Sequence, residues 1–412
     1  MAVMRRHNVP ALRLEGFDGE WELKAIGDLS GRTYGGGTPS SDEPGYWSGD
    51  IPWIQSSDVA EQGVAPVAPR KHITREAISR SAAMQIPADS VAVVTRVGVG
   101  KVSFMPFPYA TSQDFVSLSD LSGDPEYIAL TVKRRMEGLA DQLQGSTIKG
   151  ITKTELLNQA VYFPPTLEEQ QAIGAIFTNL DAAINQHTKK HQALRQAKTA
   201  LMQRMFPQEE GQTVPELRLD GFDGEWESTT VDAVANVVGG GTPSTSNPSF
   251  WDGDIDWYSP NEVGSDIVAK PSNRRITSEG LHASSAQLLP AHRTILYTSR
   301  ASIGHTAILE HPATTNQGFQ SLVLRSGMDT YFVYSLTPLI TRKAIKIASG
   351  STFLEISAKA LGSIEIPIPP TLEEQQAIGA VFTRLDTLIS TEAKCIESLK
   401  QTKTALLQQM FI

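Results

Sequence analysis

Between residues 173 and 205, apolar or seam residues fall at Ile173, Phe177, Leu180, Ile184, His187, His191, Leu194, Lys198, Leu201 and Met205, in alternating steps of four and three. That spacing predicts a coiled-coil helix. The same offsets recur at Ile378, Phe382, Leu385, Ile389, Glu392, Ile396, Leu399, Lys403, Leu406 and Met410, so a second helix of the same kind is predicted near the C-terminus. Pro164-Pro165 and Pro369-Pro370 stop each helix from starting earlier. Thr166 with Glu169, and Thr371 with Glu374, have the spacing of capping boxes. At 1.5 Å per residue such a helix spans roughly 50 Å, the length of a spacer.

A parallel, in-register pair of these helices would set Lys198 against Lys403. Antiparallel pairing instead brings Lys198 to Leu385 and Asp386, Lys403 to Leu180 and Asp181, and His191 opposite Glu392. Lysine stems can cover the seam while their ammonium groups reach carboxylates. The alternative is that these polar residues are solvated flank positions. The antiparallel arrangement predicts a pseudo-twofold molecule with a domain toward each end of the coil.

The rest of the chain is a repeat with a period near 205 residues. PALRLEGFDGEW (10–21) returns as PELRLDGFDGEW (215–226), GGGTPS (35–40) returns at 239–244, and WSGDIPW (47–53) returns as WDGDIDW (251–257). Weaker matches align TSQDF (111–115) with TNQGF (315–319), and GSTI (145–148) with GSTF (350–353). Short alternating runs at 90–96 and 294–299 predict strands, and 124–143 and 329–348 predict helices. The fold class is therefore α+β, with one domain over 1–164, a spacer helix and linker over 165–210, a second domain over 211–369 and a second spacer helix over 370–412.

Composition narrows the class further. The 412 residues allow two domains with real cores. No apolar run is long enough to span a membrane and the N-terminus lacks a signal-peptide core, so a soluble cytoplasmic protein is expected. One cysteine, Cys395, excludes disulfides within the chain and cysteine-rich metal sites. The formal net charge of −9 argues against nucleic acid until it is mapped: residues 270–359 hold ten Lys or Arg against four acids. Basic faces on an acidic chassis are compatible with DNA binding.

Catalytic patterns do not emerge. The triple glycines are not followed by the Gly-Lys-Ser/Thr of a nucleotide loop, so a tight turn is expected there. Phe163 and Ile368 precede the paired prolines where an amine-holding loop would need a polar residue. The histidines lack metal-ligand spacing, and Asp50 and Asp254, in matching turns, are assigned structural work. Residues suited to DNA are Ser56, Ser57, Arg70, Lys71, Arg96, Lys101, Ser146, Thr147, Lys149, Ser259, Asn261, Arg274, Arg275, Arg300, Arg342, Lys343, Lys346, Ser351 and Thr352, whose hydroxyls, amides and cations match phosphates and base edges. Each alone is an ordinary solvated charge or polar group; repeated in two domains, they form a candidate set.

Taken together, the tandem GFDGEW, GGGTP, GDIPW/GDIDW, GST and PPTLEEQQAI segments resemble the specificity subunit of a type I restriction-modification system over nearly the full chain. The resemblance implies two target recognition domains, each reading half of a bipartite site in double-stranded DNA, with antiparallel helices fixing the gap. It implies two docked methyltransferase (modification) subunits, restriction subunits in the full complex, and no catalysis by this chain. S-adenosylmethionine, ATP and Mg are then expected on the partners. A stand-alone DNA methyltransferase or nuclease, and a protein-binding coiled-coil scaffold, are the competing classes.

Overall fold

The computed structural model describes residues 8–143, 150–209, 211–300, 302–350 and 354–412. It divides into two compact units, one of residues 1–189 with 393–412 and the other of 190–392, so both long helices contribute to both units.

Each unit carries the same three antiparallel or mixed sheets. In the first, a four-stranded sheet runs Ser30–Gly35, Phe115–Leu121, Ser90–Val94, Val102–Met105 in spatial order, all antiparallel. A smaller sheet centres on Ile51–Ile54, antiparallel to Lys71–Ile73 and parallel to Ala110–Thr111. A two-stranded ribbon, Glu22–Ala25 with Ala160–Phe163, closes the base. The second unit repeats this order with Ala235–Gly239, Gln320–Leu324, Thr294–Tyr297 and Thr306–Ile308, then Trp251–Tyr258 between Arg274–Ile276 and Ala313–Thr315, then Glu227–Thr230 with Glu365–Ile368. The expected helices appear as Pro125–Leu143 and Thr330–Ile347, each packed on the four-stranded sheet.

The two long helices are Leu167–Arg204 and Leu372–Met410. In the first unit Asp181 accepts from Lys403, and His187 lies 3.7 Å from Cys395. In the second unit Lys198 reaches Asp386 at 2.6 Å. Numbers rise on one helix as they fall on the other, so within each unit the helices are antiparallel, and both expected lysine–aspartate pairs form. Glu392, expected opposite His191, takes an ion pair from Lys190 at 2.6 Å. Ile173, Phe177, Ile378 and Phe382 are buried in the domain cores, while Leu180, Ile184, His191, Leu194, Leu201, Leu385, Ile389, Leu399 and Leu406 are half-buried along the seam.

The capping boxes are only half made. Thr166 and Thr371 accept from the backbone N–H of Glu169 and Glu374, but those carboxylates turn away from the helix start. Glu169 receives both Nε and Nη2 of Arg13 at 2.8 Å and the indole N–H of Trp21 at 3.2 Å. Glu374 receives Arg218 at 2.9 and 2.8 Å and Trp226 at 3.2 Å. Both carboxylates are 1% exposed. The arginines also donate to carbonyls of the GFDG turn, whose glycines take left-handed φ values between 80° and 93°. Only glycine adopts those values without strain. Arginine, tryptophan and the two turn glycines of the repeated RLxGFDGEW thus form one clamp on the helix start.

Neighbouring residues tighten the same joint. Gln170 accepts from the backbone N–H of Asp124 at 2.9 Å, and Gln375 from that of Asp329 at 3.1 Å, tying each long helix to the residue just before the body helix of its unit, Pro125–Leu143 or Thr330–Ile347. At the far ends of the long helices, Phe411 stacks on Tyr127 with centroids 5.6 Å apart, and Phe206 stacks on Phe382 at 5.6 Å. Burying such rings contributes on the order of 2–3 kcal/mol each.

Candidate nucleic-acid interface

The small sheet holds the feature that gathers the polar candidates. Because Ile51–Ile54 and Ala110–Thr111 are parallel, the chain leaves both strands at the same end. There Ser112 N–H donates to Ile54 O at 3.0 Å, Thr95 N–H to Asp114 O at 2.8 Å, and Ile151 N–H to Thr95 O at 2.8 Å. Segments 55–58, 95–101, 112–114 and 150–151 are thereby joined into one tip. The second unit repeats the bonds as Asn316 to Tyr258 O, Ser299 to Gly318 O and Ile356 to Ser299 O, at 2.8–2.9 Å.

The triple glycines are built into this tip by close packing. A Cβ on Gly36 would sit 1.9 Å from the carbonyl oxygen of Ser112, and one on Gly240 would sit 2.0 Å from that of Asn316. Neither glycine has a positive φ, so the expected tight turn is replaced by a backbone-to-backbone contact that no other residue allows. Gly37 and Gly241 donate to Thr111 O and Thr315 O, both at 2.8 Å. Trp53 and Trp257 donate their indole N–H back to Gly37 O and Gly241 O at 3.0 and 2.8 Å.

This geometry sorts the candidates. Ser56, Ser57, Arg96 and Lys101 lie on the segments joined at the tip of the first unit, with Arg70 bonded to Ser57, and Ser259, Asn261 and Arg300 lie on the matching segments of the second. Arg70 is held by Asp58 at 2.6 Å and by Ser57 at 3.1 Å, and Lys101 by Glu61 at 2.6 Å. Arg96 is exposed and Arg300 half-buried, and neither forms an ion pair with a described residue. Lys71 lies over Trp47 and Trp53, and Arg274 stacks 3.6 Å from the centre of Trp251. These two cations occupy equivalent positions opposite the central strand of the small sheet.

Three further candidates bond within the protein. Arg275 is paired with Asp256 at 3.0 Å, Arg342 donates to Gln208 and Lys343 to the carbonyl of Glu365 at 2.8 Å. The last two tie the body helix to the linker and to the basal ribbon, away from the tip. Lys346 is exposed on the same helix. Ser146, Thr147, Lys149, Ser351 and Thr352 lie outside the described residues. Asp50 and Asp254 are exposed and bond to no described residue; the structural work in their turns belongs to Gly49 and Gly253, packed against the Ile73 and Ile276 carbonyls.

Two pairs of residues that the sequence did not single out stand at the tips. Thr38 donates to Gln113 Oε1 at 2.7 Å, and Thr242 donates to Gln317 Oε1 at 2.6 Å. All four side chains are exposed. The signal was present in the glutamine shared by TSQDF and TNQGF, 75 residues after the threonine of GGGTP in each copy.

Among the described residues no cluster of three or more His, Cys, Asp or Glu could hold a metal ion, and no helix is long and apolar enough to cross a membrane. Burial, then Asp256, pushes the Tyr258 hydroxyl up to about 12, and burial, then the bond to Asp386, holds Tyr331 above its ordinary value. Both tyrosines stay protonated near neutrality. A cleft of about 920 Å³ in the first unit is lined by residues including Arg134, Asp181, Lys403 and Phe411, and by none of the candidate DNA contacts.

The family model for the type I restriction modification DNA specificity domain matches this chain twice, over residues 18–196 and 223–401. The chain belongs to that family. Each matched specificity domain begins inside the GFDGEW turn and includes most of a long helix. The chain is similar to the MjaIX type I restriction enzyme specificity subunit of Methanocaldococcus jannaschii, 35% identical over 192 residues, 46% of this chain and 44% of the relative. It is also similar to the EcoR124I/EcoR124II specificity subunit of Escherichia coli, 31% identical over 176 residues, 41% of this chain and 43% of the relative. The aligned stretches span less than half the length of these relatives. In fold, the type I restriction-modification S subunit from M. genitalium matches with a TM-score of 0.67 at 16% identity, covering 98% of this chain and 99% of that one.

Proposed function

We propose that this specificity-family chain is the DNA-reading subunit of a type I restriction-modification complex. Each unit reads one half of a bipartite site in double-stranded DNA, and the paired helices set the gap and dock two methyltransferase subunits, with restriction subunits completing the nuclease. The chain itself performs no chemistry in this reading and works in the cytoplasm; S-adenosylmethionine, ATP and Mg belong to its partners.

The observation that carries the proposal is the contrast between frame and tip. The clamp, the glycine contacts and the tip hydrogen bonds recur in both units, whereas exposed or half-buried tip positions change between copies, such as Ser57 to Asn261 and Arg70 to Asn273. One frame bearing two different polar surfaces suits two readers of different sequences. The test combines sequencing of methylated genomic DNA from cells carrying the system with gel shifts of the purified chain. A two-part methylated motif, bound by the chain without turnover, is expected. Methylation or cleavage by the chain alone would overturn the reading.

A further inference from the structure

The tips differ between the units at several exposed positions, yet the Thr38–Gln113 and Thr242–Gln317 pairs are identical in residue type, separation and bond. Packing does not demand this, because all four side chains are exposed and an exposed hydrogen bond adds little stability. The base beneath each pair is rigid: Gly36 or Gly240 touches the loop carrying the glutamine, and Gly37 or Gly241 is bonded into it. In each pair the threonine hydroxyl donates to Oε1, which leaves the Nε2 hydrogens as outward donors. A fixed amide donor in the same place on two otherwise different reading surfaces needs a partner that both half-sites provide.

Resting on the proposed DNA-reading role, the geometry points to Gln113 and Gln317 as the contact the two units have in common, each donating its amide N–H to a DNA acceptor present in both half-sites. Thr38 and Thr242 are positioning residues that fix the amide face. The acceptor is a phosphate oxygen or a base-edge atom such as purine N7, and binding data separate the two. A phosphate contact adds affinity on every sequence, whereas a base contact adds it only on the cognate one.

The decisive variants are Gln113→Glu and Gln317→Glu. A carboxylate still accepts from the threonine, so a purely structural role would survive, but the outward donor is replaced by an anion facing DNA. The probes are a duplex carrying the motif methylated in the source cells and a scrambled duplex of equal length. Each variant is expected to bind the motif about tenfold or more weakly with an unchanged thermal midpoint, Gln→Ala to lose about tenfold, and the double variant to lose the product. Thr38→Val should lose severalfold and Thr38→Ser should restore binding. Equal loss on both duplexes assigns the acceptor to phosphate; loss confined to the motif, with one relaxed position in the matching half-site, assigns it to a base. Binding by both Glu variants within twofold of the parent chain overturns the inference. A parent chain that does not prefer the motif over the scrambled duplex overturns the DNA-reading role itself.

Discussion

Glu374→Ala removes the acceptor at the centre of the second clamp. It leaves Arg218, whose side chain is 14% exposed, without its carboxylate, and the indole N–H of Trp226 without a partner. Removing one partner of a buried ion pair costs about 3–5 kcal/mol, and the orphaned indole lies within that figure because the effects share one site. For a unit of about 150–250 residues each kcal/mol lowers the melting midpoint by about 2–4 °C, so the second transition should fall by about 6–20 °C in calorimetry. Glu374→Gln keeps an acceptor but loses the charge, and should cost about 1.5–3 kcal/mol. The double variant Arg218→Leu/Glu374→Leu leaves no buried charge and should be more stable than Glu374→Ala alone. Glu169→Ala should lower the first transition by a similar amount, because the same bonds are made there. A Glu374→Ala midpoint within 2 °C of the parent chain would refute the clamp as a stabilising joint.

Further outcomes follow from the same geometry. Phe411→Ala empties a buried aromatic site and should destabilise the first unit by about 3–5 kcal/mol, read as a shift of one calorimetric transition with the other unmoved. Replacing residues 215–360 by those of a family relative should change one half of the methylated motif only; a change in both halves would count against independent reading. Arg300→Ala should weaken DNA binding and reduce its salt dependence, while Arg342→Ala, which loses a bond to Gln208, should leave binding unchanged in the same titration. Inserting one heptad after His191 and one after Glu392 lengthens each helix by about 10 Å, and the motif should show a longer gap with reduced activity; an active variant with the original gap would mean that other elements set the spacing.

What could be read in advance was whatever depended on near neighbours in sequence. Leu180, Ile184 and Leu194 announced a seam through their spacing, and the lysine–aspartate pairs followed from the seam. Glu169 reads as a cap because its position three residues after Thr166 fits a local box, and half of that box forms, whereas the partner of its carboxylate, Arg13, lies 156 residues away. The internal partners of Arg70, Arg275, Arg342 and Lys343 are hidden from the sequence for the same reason: Asp58, Asp256, Gln208 and Glu365 come close to them only after folding. Gly36 and Gly37 suggested a turn because glycine is read first for its φ, but their requirement is the missing Cβ. Gln113 and Gln317 stand at matching places in the repeat, but their exposure and their bonds to Thr38 and Thr242, 75 residues away, are visible only in the fold.

The placement of Phe206 and Phe411 also bears on how the chain is made. The second unit is assembled from one continuous stretch, 190–392, and Phe206 is available to it from the outset. The first unit packs Phe411 against Trp21 and Tyr127, with Met410 in the same core, and cannot complete that site before they are made, although most of its other core residues were synthesised long before. Domains ordinarily fold in order of synthesis, N-terminal first. Here the later unit can finish its core first, and the earlier one remains open at the aromatic site around Trp21 until translation delivers the last turn of the second helix.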